Sequence, residues 1–269
     1  MPNASTWAYL SRFELWWHGG KLPQRVRLCN PLAVIVCYHS AMYKSCENAH
    51  EAIGRCSTPS KMPCLSWGVP VHPTPGIAGS GCNVGLKLMA TGPATVCSIC
   101  RVDGRGFYAW PGPLKAQTRR LLALENSATF VEDFAHVLQT MYERRGQDVF
   151  RWLDTGDLTP KLLAHILAIA ARVPQVRFWV PSKEYSLVKP YRKPGALPGN
   201  VTIRVSAPLI DQRPWSIGLP TSTVHYRKPA IGFECPAPKQ GNKCLECRAC
   251  WDHPGNISYK AAYAKSARS

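Results

Sequence analysis

Three short apolar runs and the helix-period segments between them decide the fold class. DVFRWLD (148–154), QVRFWVP (175–181) and NVTIRVSAP (200–208) have the length and the Val, Ile, Phe and Trp content of buried strands. Between the first two lies TPKLLAHILAIAARV (159–173), with Thr159 placed to cap a helix and Pro160 inside its first turn. Ser182 opens a short helical stretch, KEYSLVKPY, between the second and third. Strand, helix, strand, helix, strand implies a parallel sheet with right-handed crossovers. The expected fold is α/β: a partial (βα) barrel or an open parallel sheet.

Two further helices precede this run. PLKAQTRRLLALEN (113–126) starts on a proline, and SATFVEDFAHVLQTMYERRG (127–146) is predicted to use Ser127 as its cap and Gly146 as its stop. KSCENAHEAIGR (44–55) suits a short helix within an otherwise irregular N-terminal extension, 1–66. The remainder, 67–269, reads as one metal-binding domain: a Gly- and Pro-rich cysteine loop (67–112), the α/β core (113–208) and a cysteine-rich C-terminal segment (209–269).

Ligands of parallel α/β folds gather at the carboxyl ends of the strands. Polar residues stand there in this sequence: Asp154 and Asp157 in DTGD, Lys183 in PSKEY, and Ser206 in SAP. These are the candidate cofactor-binding residues. No P-loop and no G-x-S-x-G is present, which removes the commonest nucleotide and hydrolase signatures.

Twelve cysteines are many for 269 residues. The N-terminus has no clean apolar core followed by a cleavage site, and the most apolar run, PLAVIVCY, is too short to span a bilayer. The expectation is a cytoplasmic protein without a membrane segment. In a reducing compartment, clustered thiols usually bind metal or perform redox chemistry. Cys235, Cys244, Cys247 and Cys250 are spaced C-x8-C-x2-C-x2-C. Two-residue gaps turn neighbouring thiolates onto one centre, either tetrahedral zinc or a [4Fe–4S] cluster. Zinc sites commonly pair two separated knuckles, so three cysteines in succession favour iron–sulfur, with zinc the alternative. Cys82, Cys97 and Cys100 form a second set with three ligands. Either one coordination position stays open, as catalysis requires, or Cys64, His72 or an N-terminal cysteine closes it.

The first set precedes the recognised strands and the second follows them. Both are expected to converge on the face holding Asp154, Asp157, Lys183 and Ser206, with Lys183, Arg204, Arg213 and Lys239 offsetting thiolate charge. Thirty-three Lys and Arg oppose sixteen Asp and Glu, a net charge of +17. That balance points to a polyanionic partner, nucleic acid or nucleotide, or else to a generally basic surface.

The stretches SKMPCLSWGVP, VCSIC, FRWLDTGDL, RFWVPSKEY, TIRVSAP, GLPTSTVH and CPAPKQGNKCLECRACWD together resemble the phage family called gene product 88, over about 60–269. The resemblance implies a phage or prophage origin, hence the cytoplasm of a host bacterium, and brings no reaction with it. The order of three cysteines, βαβαβ and further cysteines is similar, more distantly, to radical S-adenosylmethionine (SAM) enzymes. That similarity implies an open iron at the Cys82, Cys97 and Cys100 site that binds SAM, with Asp154 and Asp157 near its amine. Arg101 stands where those enzymes often have an aromatic residue, and fourteen residues separate the first two cysteines where they usually have three.

Overall fold

The structure, a computed structural model, describes residues 45–100, 102 and 107–261. Its centre is an open sheet of seven strands, all parallel. In chain order these are β1 (Ser66–Trp67), β2 (Val149–Trp152), β3 (Arg177–Ser182), β4 (Val201–Ile210), β5 (Thr221–His225), β6 (Phe233–Glu234) and β7 (Asn256–Lys260). Their order across the sheet is β1-β2-β3-β4-β5-β7-β6, and the sheet does not close into a barrel.

The helices are α1 (Cys46–Ala52), α2 (Asn83–Thr91), α3 (Pro111–Asn126), α4 (Phe130–Arg145), α5 (Pro160–Arg172), α6 (Tyr185–Val188) and α7 (Ala249–Asp252). Several predicted caps hold. The Thr159 hydroxyl accepts from the Leu162 amide at 3.2 Å, and Gly146 ends α4 at φ 62. Ser127 does not cap α4: it closes α3, and Thr129 precedes Phe130 instead. The Thr129 hydroxyl donates to Asp133 at 2.8 Å, so the first turn of α4 is fastened side chain to side chain.

Parity along the strands separates the two faces of the sheet. Trp67, Phe150, Trp152, Phe178, Val180, Ile203 and Val205 belong to one apolar core, covered by α1, α4 and α5. Phe134 of α4 meets Phe150 edge-on at 5.5 Å and Trp152 at 4.5 Å. Each fully buried aromatic there contributes about 1.5–3 kcal/mol by burial. Residues 45–66, grouped by sequence with the N-terminal extension, lie inside this unit: Ala49, Ile53 and Leu65 are core residues. The predicted features of residues 1–44 lie outside the described residues.

The opposite face carries Arg151, Trp179, Thr202, Arg204 and Ser206, and the C-terminal segment covers it. Arg204 is wholly buried. Its guanidinium donates to the carbonyls of Thr221, Ala249, His253 and Gly255, at 2.7–3.3 Å. It thus ties α7 and the turn after it onto β4. Carbonyl oxygens occupy its donors, but its charge remains and favours the Cys250 thiolate, as expected of a cation that offsets thiolate charge. Lys239 is also engaged, 3.5 Å from Glu234 at the surface.

Candidate functional site

The loop after β1 builds the site. Gly68 sits where a Cβ would come within 2.3 Å of Asp154 Oδ1 and 2.5 Å of the Thr155 carbonyl, so only glycine lets the chain cross the end of β2. The Val69 amide then donates to the Thr155 carbonyl at 3.1 Å. The loop returns with the Cys82 amide donating to Val71 O at 2.8 Å, which sets Cys82 at the start of α2. A carboxylate from the next strand end caps that helix: Glu184 Oε1 accepts from the Val84 amide at 3.1 Å. The segment holding Cys97 and Cys100 is anchored separately. Val96 N donates to Pro208 O and Ile210 N to Ala94 O, pairing it with the end of β4.

Cys82, Cys97 and Cys100 precede the first strand of the βαβαβ run, as expected, but follow the short β1: Cys82 lies in the loop between β1 and α2, and Cys97 and Cys100 lie between α2 and α3. All three line a cavity of about 920 Å3 together with Lys61, Asp154, Asp157 and Lys183. Gly85 in α2 leaves room between two of the thiols: a Cβ there would stand 3.5 Å from Cys97 Sγ and 3.9 Å from Cys82 Sγ.

The strand-end acids differ in role. Asp157 is buried, and both its oxygens are used: it accepts from Ser182 Oγ at 2.6 Å, Leu158 N at 2.8 Å and Lys183 N at 3.0 Å. Burial pushes its carboxyl up, partly opposed by those hydrogen bonds. It positions the loop that carries Lys183. Asp154 accepts from Ser66 Oγ at 2.7 Å through Oδ2. Its Oδ1 and the Thr155 hydroxyl are buried without a hydrogen-bond partner among the described residues. Leu153, just before them, lines the cavity at φ 54, a left-handed conformation rare for a bulky side chain. Burial raises the thiols of Cys82 and Cys97, and the nearby Lys183 ammonium works against that rise.

Cys235, Cys244 and Cys250 line a second cavity of about 310 Å3 on the face covered by the C-terminal segment. The two cavities share Lys61, Val96 and Val224 as walls. The Cys235 amide donates to Ser258 O at 2.9 Å, the Cys244 amide to Lys61 O at 2.8 Å, and the Cys247 amide to Cys244 O at 3.0 Å. Leu245 at φ 45 makes the sharp turn between Cys244 and Cys247. Ser206 also lines this second cavity, its hydroxyl 3.1 Å from that of Ser222, rather than the cavity of Asp157 and Lys183. Cys64, weighed as a closing ligand of the first set, packs instead against the second, beside Cys250 and Tyr259. Burial lifts its thiol to about 12, and Cys244 adds to the rise. His72 lies beside Tyr108, and the described residues lining the larger cavity include no fourth thiol and no imidazole.

Among the described residues no three His, Cys, Asp or Glu side chains come close enough to hold a single metal ion. Six of the seven cysteines are therefore spread around the two cavities rather than drawn onto one point, and Cys247 lines neither. Sequence reasoning missed Lys61, Arg151 and Tyr259. Each is a lone polar residue in an apolar or irregular stretch, with no pattern to mark it.

No described helix is long and apolar enough to cross a membrane. No curated protein and no solved structure matches the chain. A family model does match, over residues 35–253, which takes in both cysteine sets and every strand but the last. The chain belongs to the family described as gene product 88.

Proposed function

We propose that this is an iron–sulfur protein, with a catalytic [4Fe–4S] cluster at Cys82, Cys97 and Cys100 and a second cluster at the C-terminal cysteines. The observation that carries the reading is the convergence of three thiols, with no fourth thiol or imidazole among the described residues, on a cavity at the carboxyl ends of parallel strands. A cubane is wider than an ion, so its thiolates stand further apart than those of a zinc site; thiols spaced around a cavity suit the cluster. Three thiolates leave one iron open. A cluster held there by Cys82, Cys97 and Cys100 would supply, when reduced by an external low-potential donor, the SAM-cleaving chemistry of radical SAM enzymes. The residues beside it have matching chemistry: Asp154 Oδ1 is a buried acceptor without a partner, and Lys183 is a cation facing the thiols. The charge of +17 favours a nucleotide or nucleic acid as substrate.

The test is anaerobic reconstitution with iron and sulfide, followed by metal and sulfide assay. Brown protein carrying two clusters is expected, falling to one in the Cys97→Ala variant. Incubation with SAM and dithionite is expected to release 5′-deoxyadenosine from the wild type only. Colourless protein with stoichiometric zinc would overturn the reading.

A further inference from the structure

Arg151 projects from β2 onto the face that holds the smaller cavity. Its Nη1 donates to Met62 Sδ at 3.2 Å, and its guanidinium carbon lies 4.6 Å over the Trp179 ring. Its Nε is buried with no hydrogen-bond partner among the described residues. Trp179 Nε1, in the same cavity wall, is likewise buried and without a partner. Arg151 and Trp179 thus each bring to this wall a buried N–H, one of them on a cation, that is costly to leave without an acceptor. The rest of the wall supplies thiols: Cys235, Cys244 and Cys250, the last with its Sγ 3.2 Å from Tyr259 Oη. An apolar occupant would leave both donors unsatisfied. A thiolate-ligated iron–sulfur cluster answers both, because it carries net negative charge and its sulfurs accept hydrogen bonds.

We infer that the smaller cavity holds a redox-active cluster, and that Arg151 and Trp179 donate hydrogen bonds to its sulfurs and raise its reduction potential. The inference rests on the cluster reading above and deepens it at the second site. Reduction adds one electron, supplied by a low-potential donor, to a centre that is already anionic. A fixed, partly buried cation favours the more negative, reduced form, so it raises the potential. Arg151 is a positioning and tuning residue and not a ligand.

The experiment uses the full chain with Cys82, Cys97 and Cys100 all replaced by Ala, reconstituted with iron and sulfide, so that only the second cluster is present. Its potential is read by redox titration followed by electron paramagnetic resonance. Arg151→Gln is expected to shift the one-electron equilibrium at least tenfold toward the oxidised form, a potential lower by about 59 mV. Trp179→Phe, which keeps the ring and removes the N–H, is expected to shift it the same way by less. Arg151→Lys is expected to restore most of the wild-type value. Should Arg151→Gln fail to fold, Trp179→Phe decides. Unchanged potentials in Arg151→Gln and Trp179→Phe would overturn the inference. So would absence of iron and sulfide from the triple-alanine protein when the wild type holds one cluster, a result that leaves the first site standing. Absence from the wild type as well would remove both.

Discussion

Arg204 shows how a single residue can join two parts of a fold. Its donors collect carbonyls from β5, α7 and the turn before β7. Arg204→Met keeps an unbranched apolar stem but removes the guanidinium, and leaves those acceptors buried without partners. The expected loss is at least about 3 kcal/mol in urea unfolding. His50 makes a second residue-scale prediction. Its Nε2 accepts from the Cys56 amide at 2.8 Å, which needs the neutral ring, and burial lowers its pKa below the ordinary 6.5. A folded-state pKa below the unfolded one means the unfolded chain takes up the proton first. The contribution is therefore complete above pH 6.5 and is lost as the pH falls below it. Urea midpoints of the wild type between about pH 7.5 and about pH 5 are expected to fall further than those of His50→Gln. The sequence marked Arg204 only as a cation, without its carbonyl partners, and did not mark His50. An isolated Arg in a strand reads as surface, and a His in a short helix reads as solvated. The cysteines, by contrast, were legible, because their spacing is itself the chemical signal.

The elements divide in the same manner. β2, β3 and β4 were legible because their inward side chains are apolar on the helix-covered face. β5 (TSTVH) and β7 (NISYK) were not, because hydroxyls fill them: Thr223 Oγ1 bonds Ser258 Oγ at 3.2 Å, and Ser258 Oγ meets His225 Nδ1 at 2.8 Å. A strand whose partners are polar has no apolar period to read. β1 and β6, two residues each, are shorter than any pattern. The cap on α2 also comes from far along the chain. Glu184→Ala is expected to cost about 1 kcal/mol in thermal or urea unfolding, as loss of a helix cap does. Gly85→Val is expected to lower the unfolding midpoint, because even its Cβ would stand 3.0 Å from Cys82 Cβ, and to abolish iron retention at the first site, because the added atoms occupy the gap between Cys82 and Cys97.

At the scale of the whole molecule the two faces of the sheet are held by different means. One is closed by a contiguous aromatic and aliphatic core, and the other by hydrogen bonds to Arg204 and by the small cluster around Trp251. Local opening follows the density of buried apolar contact. In metal-free protein, amide hydrogen exchange is expected to be slowest in α4, α5 and β2–β4 and fastest in 235–252. Reconstitution with iron and sulfide should slow exchange in 235–252 and leave the core unchanged.

β7 lies between β5 and β6 although it follows both in the chain. β6 pairs with β7 alone, and Cys235 takes its place through the Ser258 carbonyl. While the chain is being made, Phe233–Glu234 therefore has no neighbour until residues 256–260 have left the ribosome, and four thiols wait beside it without a frame. The walls around Cys82, Cys97 and Cys100 depend mainly on β1 to β4, which emerge much earlier. The two thiol sets thus leave the ribosome in a fixed order, and the last wall of the first cavity, Lys260 and Ala261, arrives together with the strand that frames the second.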